Sequence, residues 1–198
     1  MAKDLLLQEL RHRTQNDLAM VISVLALQAR GNVSEETRTA LQNAISRIRA
    51  ISGAHDQFGP LDEHGKIDIK DYLTSLCAHF SESLRDIRPV TIEVAVDSAS
   101  LRANDAQAIG LIVNELVTNA VKHAFPEERT GTVRVTFRDG SPRVLVVEDN
   151  GVGCATIEKG GIGSRLTGLL VKQLDGSIVW ESAEPGCRVR VTFAEASQ

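Results

Sequence analysis

Glu9-Leu10-Arg11-His12-Arg13-Thr14-Gln15-Asn16 places an imidazole between two arginines, with a carboxylate nearly one helical turn earlier. On a helix, His12 lies about 200° around the axis from Leu10, away from the apolar side. Arginines beside an imidazole suit a group that is to carry a phosphoryl charge. Glu9 can accept the imidazole proton or hold the ring's tautomer. Taken alone, the segment reads equally well as a charged helix surface with an ordinary histidine. A second stretch, Asn114-Glu115-Leu116-Val117-Thr118-Asn119-Ala120-Val121-Lys122-His123, sets Glu115, Asn119 and Lys122 on one helix face. A carboxylate, an amide oxygen and a cation at that spacing suit magnesium and triphosphate oxygens, or simply a solvated face with a Glu–Asn hydrogen bond.

Two further stretches are rich in glycine. Glu148-Asp149-Asn150-Gly151-Val152-Gly153 follows the apolar run Val144–Val147. A carboxylate at a strand end can accept a hydrogen bond from an exocyclic amine, and glycines let backbone approach a flat ligand. An ordinary Asp-Asn-Gly turn has the same letters. Gly160-Gly161-Ile162-Gly163-Ser164-Arg165-Leu166 leads into a helical pattern. Free N–H groups and the helix dipole at such a start favour an anion. The GxxxxGK[ST] pattern of a P-loop is absent.

The elements that must hold these residues fall into two grammars. All five prolines stand at or beyond residue 60, and only three of the fifteen glycines precede it. Residues 1–60 carry seven Lys/Arg against six Asp/Glu; residues 61–198 carry fifteen against twenty. In the first part, Leu10, Thr14, Leu18, Val21, Leu25 and Gln28 form a helical stripe. Gly31–Ser34 breaks it, and Ser34 with Glu36 and Thr37 starts a second helix. That helix has its own stripe at Leu41, Ile45, Ile48, Ile51 or Ser52, and His55. Two such helices leave apolar surface uncovered, so a dimeric four-helix bundle is expected.

The second part alternates. Helices are expected at 68–84, with Asp68 as cap, at 104–123 and at 164–174. Strands are expected at 90–96, 132–137, 144–148, 177–182 and 188–193. The expected class is α+β, a helical hairpin followed by a two-layer α/β sandwich with helices on one face of a mainly antiparallel sheet.

Composition narrows the field. The chain has 198 residues, 42% hydrophobic and 24% charged, with a net charge of −4. This is a globular composition, and the acidic excess argues against a nucleic-acid partner. No apolar run reaches the roughly 18 residues of a membrane span, so no direct membrane insertion is expected. Cys77, Cys154 and Cys187 are widely spaced and odd in number. They are expected to be separate, small buried side chains in a reducing compartment, with no structural zinc.

Together the four stretches resemble the histidine protein kinase core of the HWE-type and closely related group. ELRHRTQNDL resembles its phosphoacceptor box, NELVTNAVKHAF its N box, DNGVG its first G box, and GIGSRLTGLLVKQLDG its second. The likeness runs from about residue 5 to 193. It implies a dimerisation and histidine phosphotransfer hairpin over residues 1–59 and a Bergerat-type ATP-binding domain over 60–198. By position, the resemblance makes His12 the phosphoacceptor, Asn119 the Mg2+ ligand and Asp149 the contact to the adenine amine. Gly151, Gly153, Gly161 and Gly163 shape the nucleotide pocket and its lid, and Lys122 stands near the phosphates. Glu115 occupies the place of an acidic residue in the wider ATPase superfamily, here as a positioning group.

Some positions depart from the pattern. Arg13 follows His12 where many relatives have an acid, which makes Glu9 the candidate base. Trp180 and Glu181 are adjacent instead of forming Trp-x-Glu, which points to a neighbouring subgroup. Residues 154–160 leave a lid of only seven or so residues. The implied partners are a second copy of the chain and a response-regulator receiver domain. The helix begins almost at residue 1, so a separate sensor protein or a missing N-terminal sensor domain is expected. The expected location is cytoplasmic. Two other readings share parts of the pattern: a histidine phosphotransferase with a vestigial ATP site, and a non-catalytic partner-switching module such as an anti-sigma factor.

Overall fold

A computed structural model describes residues 17–57, 66–84, 89–154 and 162–193. The chain divides into two units, Met1–Gly59 and Pro60–Gln198. In the first, residues 17–30 form helix α1 and Glu35–Gln57 form α2. Ser34 starts α2 as expected: its Oγ accepts the N–H of Thr37 at 3.2 Å, and Glu35 and Glu36 occupy the first turn. Arg38 then reaches back, its Nε donating to the carbonyl of Ala29 at 3.2 Å. That bond satisfies a carbonyl which the end of α1 would leave without an intrahelical partner.

The apolar stripe of α1 differs from the expected one. Ala29 is buried and Leu18, Ile22, Leu25 and Ala26 are half-buried, whereas Met20, Val21, Val24 and Leu27 are 45–69% exposed. Val21, placed in the stripe by periodicity, thus faces outward. The reason is that residues 18–27 are apolar nearly all round, so period alone does not choose a face. In α2, Ile45 is buried and Leu41 and Ile48 are half-buried.

The second unit holds β1 (Lys66–Asp68), α3 (Ile69–Leu84), β2 (Val90–Val96), β3 (Ser100–Arg102) and α4 (Ala103–His123). After a 3-10 turn at Pro126–Glu128 come β4 (Gly131–Arg138), β5 (Arg143–Asp149), α5 (Ile162–Gln173), β6 (Ser177–Ser182) and β7 (Cys187–Phe193). Five strands form one sheet in the order β2-β4-β5-β7-β6; β2 and β4 run parallel and the other pairs antiparallel. Alternate residues such as Val135, Phe137, Leu145 and Val191 point inward and are fully buried. With Ile112, Val113 and Val117 of α4 and Tyr72 and Leu73 of α3 they make the core. Gly110 is glycine because a Cβ there would lie 2.0 Å from the Tyr72 hydroxyl.

The outer face carries one alternating row of charge across all five strands. Cross-strand partners run Glu93, Arg134, Glu148, Arg188 and Glu181. Arg134 bonds Glu93 at 2.8 Å and Arg188 bonds Glu148 at 3.0 Å. Half-exposed pairs contribute little stability each. A one-residue slip would turn the whole row into the core, so the row enforces register.

The small antiparallel sheet of β1 and β3 was not expected. Three residues are too few to show a period. It exists because Asp68 joins distant parts: Oδ1 accepts the N–H of Lys70 at 2.7 Å and caps α3, while Oδ2 accepts from the Ser98 hydroxyl.

Candidate functional site

Asp149 is the last residue of β5 and is buried, 7% exposed. Its Oδ1 accepts two backbone N–H groups, from Gly151 at 2.9 Å and Cys187 at 3.3 Å. Among the described residues nothing donates to Oδ2. Burial lifts this carboxyl above the ordinary aspartate range; the two backbone donors pull it down, and neighbouring Glu148 pushes it up. A buried carboxylate with one oxygen anchored and the other without a protein donor is an acceptor for a ligand's N–H.

Three contacts hold the turn that follows. The side-chain oxygen of Asn150 accepts the N–H of Thr132 at 2.8 Å, ending the β4–β5 ladder. Val152 donates its N–H to the carbonyl of Ala124 at 3.0 Å. Gly151 fits against that same helix end, since a Cβ there would lie 2.2 Å from the Ala124 oxygen. Glycine at this position lets the turn dock on the end of α4. Gly153 has φ +99°, a conformation that favours glycine.

Sequence reading passed over Gly186. It has φ +110°, and a Cβ on it would lie 1.8 Å from the carbonyl oxygen of Asp149. Glycine there lets the β6–β7 turn close on the strand end and bring the Cys187 N–H to Asp149. The available signal, Pro185-Gly186 between two strands, reads only as a turn.

On α4, Asn114 and Glu115 are buried, with Asn114 Nδ2 donating to Glu115 Oε1 at 3.4 Å. Asn119 is half-buried and Lys122 exposed. Among the described residues the Asn119 amide has no hydrogen-bond partner. Asn119 precedes Ala124 by five residues, about 7.5 Å of helix rise. The Val152–Ala124 bond therefore brings the second and third sequence stretches to one end of one helix. Helix α5 packs on α4 and starts at Ile162, two residues earlier than expected, which puts Gly163 inside its first turn. The hydroxyl of buried Thr167 donates to the Gly163 carbonyl at 3.0 Å.

His12, Glu9, Asn16 and Gly161, with the segments 58–65 and 155–161, lie outside the described residues. No group of three or more His, Cys, Asp or Glu among the described residues could hold a metal. Among the described residues no helix is long and apolar enough to cross a membrane.

The cysteine expectation is corrected. Cys154 and Cys187 form a disulfide, with Cα atoms 4.9 Å apart, and only Cys77 is a free buried thiol. The pairing follows from strand register: Cys187 sits opposite Asp149 in the β5–β7 ladder, so the turn after Asp149 meets it. The argument from spacing to a reducing compartment loses its premise.

Residues 9–84 match a family described as histidine kinase, and residues 79–165 match the histidine kinase-like ATPase domain. Sensor histidine kinase PdtaS of Mycobacterium tuberculosis is 31% identical over 186 residues, covering 89% of this chain and 36% of that protein. Blue-light-activated histidine kinase 2 of Erythrobacter litoralis is 28% identical over 186 residues, covering 87% of this chain and 52% of that one. The chain thus spans about a third to a half of these relatives. Among solved structures, the histidine kinase domain of a blue-light-activated histidine kinase from Erythrobacter litoralis superposes with a TM-score of 0.67. It is 24% identical and covers 94% of this chain and 92% of that one. That likeness concerns the fold: a helical pair followed by a five-stranded sheet with helices. With the two family matches running from residue 9 to 165, the chain belongs to the histidine kinases.

Proposed function

We propose that the chain is the core of a two-component sensor histidine kinase, which phosphorylates its own His12 from ATP and passes the phosphoryl group to an aspartate of a response-regulator receiver domain. The observation that carries this reading is Asp149, a buried carboxylate with Oδ1 anchored and no described donor to Oδ2. It is complementary to the adenine amine. Residues 60–198 are the ATP-binding domain and residues 1–59 the dimerisation and phosphotransfer hairpin. The exposed Met20, Val21, Val24 and Leu27 supply the face on which a second copy packs. A core of this kind works in the cytoplasm, where ATP and receiver domains are found.

The Asn119 amide fits a hard cation, being an oxygen donor with no competing bond among the described residues. Asn119 would hold Mg2+, which would supply charge to offset that of the phosphates. An imidazole nitrogen of His12 forms the new bond to the γ-phosphorus as the bond to the ADP oxygen breaks, and Glu9 takes the imidazole proton. The protein chiefly positions these groups. Glu115, buried beside Asn114, keeps the α4 surface in place. Lys122 faces the phosphates, and Gly161 and Gly163 let the lid follow them. Asn16, four residues after His12 in the sequence, orients a water for dephosphorylating the partner.

The test is incubation with γ-labelled ATP and Mg2+, comparing wild type with His12→Ala. Label on wild type that is lost in acid, survives alkali and moves to a receiver domain is the expected result, with none on His12→Ala. Wild type that stays unlabelled with ATP but accepts phosphate backwards from a phosphorylated receiver replaces this reading with the phosphotransferase one.

A further inference from the structure

The disulfide stands where it can control the site. Cys154 comes directly after Gly151–Gly153, and Cys187 is the residue whose N–H holds Asp149 Oδ1. The bond therefore ties the far end of the turn to the strand that anchors the carboxylate. The turn is also held at Asn150 and Val152, and the Cys154 sulfur lies 3.2 Å from the Glu181 carbonyl of β6; the disulfide adds the covalent link from residue 154 to β7. Cys187 is buried while Cys154 is half-buried, so of the two sulfurs that of Cys154 is the one offered to an attacking thiol.

We propose that Cys154 and Cys187 are a reversible thiol–disulfide switch that sets how firmly the Gly151–Cys154 turn, and with it the ligand site at Asp149, is held. The assignment to a nucleotide rests on the function proposed above. Disulfides in a cytoplasmic protein are commonly transient and redox-sensing rather than permanent staples. Reduction proceeds by exchange with a small-molecule thiol such as glutathione. Its thiolate attacks the Cys154 sulfur, a mixed disulfide forms, and the Cys187 thiolate leaves. A second glutathione thiolate then displaces the Cys154 thiolate, so two glutathiones are oxidised to one glutathione disulfide and the protein gains two electrons. Glutathione disulfide reverses each step. Cys77 does not compete: it is buried, and burial pushes its thiol up to about 12.

The oxidised form has its loop ordered before the ligand arrives, so less freedom is lost on binding. A fluorescent ATP analogue is expected to bind the oxidised chain about five-fold more tightly than the reduced chain. Amide exchange over Gly151–Cys154 should be slower when oxidised. The test equilibrates the full chain across glutathione ratios and counts thiols by alkylation and mass. One thiol of the three cysteines should react after denaturation of the oxidised form, and all three after reduction. Cys154→Ser should behave as the reduced chain in both binding and exchange and ignore the glutathione ratio. Three reactive thiols at every ratio, or equal exchange and equal affinity in both forms, overturns the proposal. Exchange that changes with redox state while neither form binds the analogue supports the switch and refutes the nucleotide assignment instead.

Discussion

The two units of the chain solve burial differently. In residues 60–198 the inner face of the sheet is covered by α3 and α4, and large side chains such as Phe137, Tyr72 and Leu145 are fully buried. In residues 1–59 the most buried apolar side chains described are Ala29 and Ile45, while Met20, Val21, Val24 and Leu27 remain exposed. Among the described residues, the unit 60–198 buries its largest apolar side chains and leaves Val152, Leu169 and Val179 exposed at scattered places, whereas the unit 1–59 leaves four exposed together on α1. A unit of the first kind has a stability independent of protein concentration. One of the second kind depends on what covers it.

The largest expected effect tests the open unit. Val24→Glu with Leu27→Glu places two charges on its uncovered face, and a buried unpaired charge is very costly. Light scattering is expected to give the mass of two chains for wild type and of one chain for the variant. One-chain mass for wild type at micromolar concentration ends the idea of a dimer. The closed unit should respond in the opposite manner. Phe137→Ala removes a fully buried ring and is expected to cost about 3–5 kcal/mol. Denaturant melts should show that loss at every protein concentration, with the dimer retained.

A smaller effect separates binding from stability within the closed unit. Asp149→Asn should weaken ATP by roughly 1.5–3 kcal/mol, the loss of one charged hydrogen bond, with a much smaller change for GTP, which offers a carbonyl at that edge. Stability should move the other way. The folded carboxyl is raised above its unfolded value, so the charged form is disfavoured by folding. Wild type and variant should therefore melt alike at low pH. The variant should gain as pH rises from the unfolded aspartate value through the folded one, and hold its advantage above. A wild type that is the more stable at neutral pH contradicts this. The smallest effect returns to the helical unit: Ser34→Ala should cost about 1 kcal/mol by removing the α2 cap, read as lower helicity on heating.

Local patterning is enough for most elements. Ser34 and Asp68 mark helix starts through bonds to N–H groups two or three residues on, and alternation at Val90–Val96 marks a strand. These are interactions between near neighbours, so their signal lies in adjacent letters. The candidate site is partly legible in the same way, since Asn119 and Asp149 stand in short recognisable stretches. What the letters do not carry is any contact whose partners are brought together by strand register. The Cys154–Cys187 bond closes a separation of 33 residues. The Gly186 fit against Asp149 and the charge row from Glu93 to Glu181 arise the same way. Nor does period select the outward face of α1, because a helix apolar all round offers several equivalent ones. Such features depend on which strands pair, in what order and at what offset, and that is settled only when the whole core is packed.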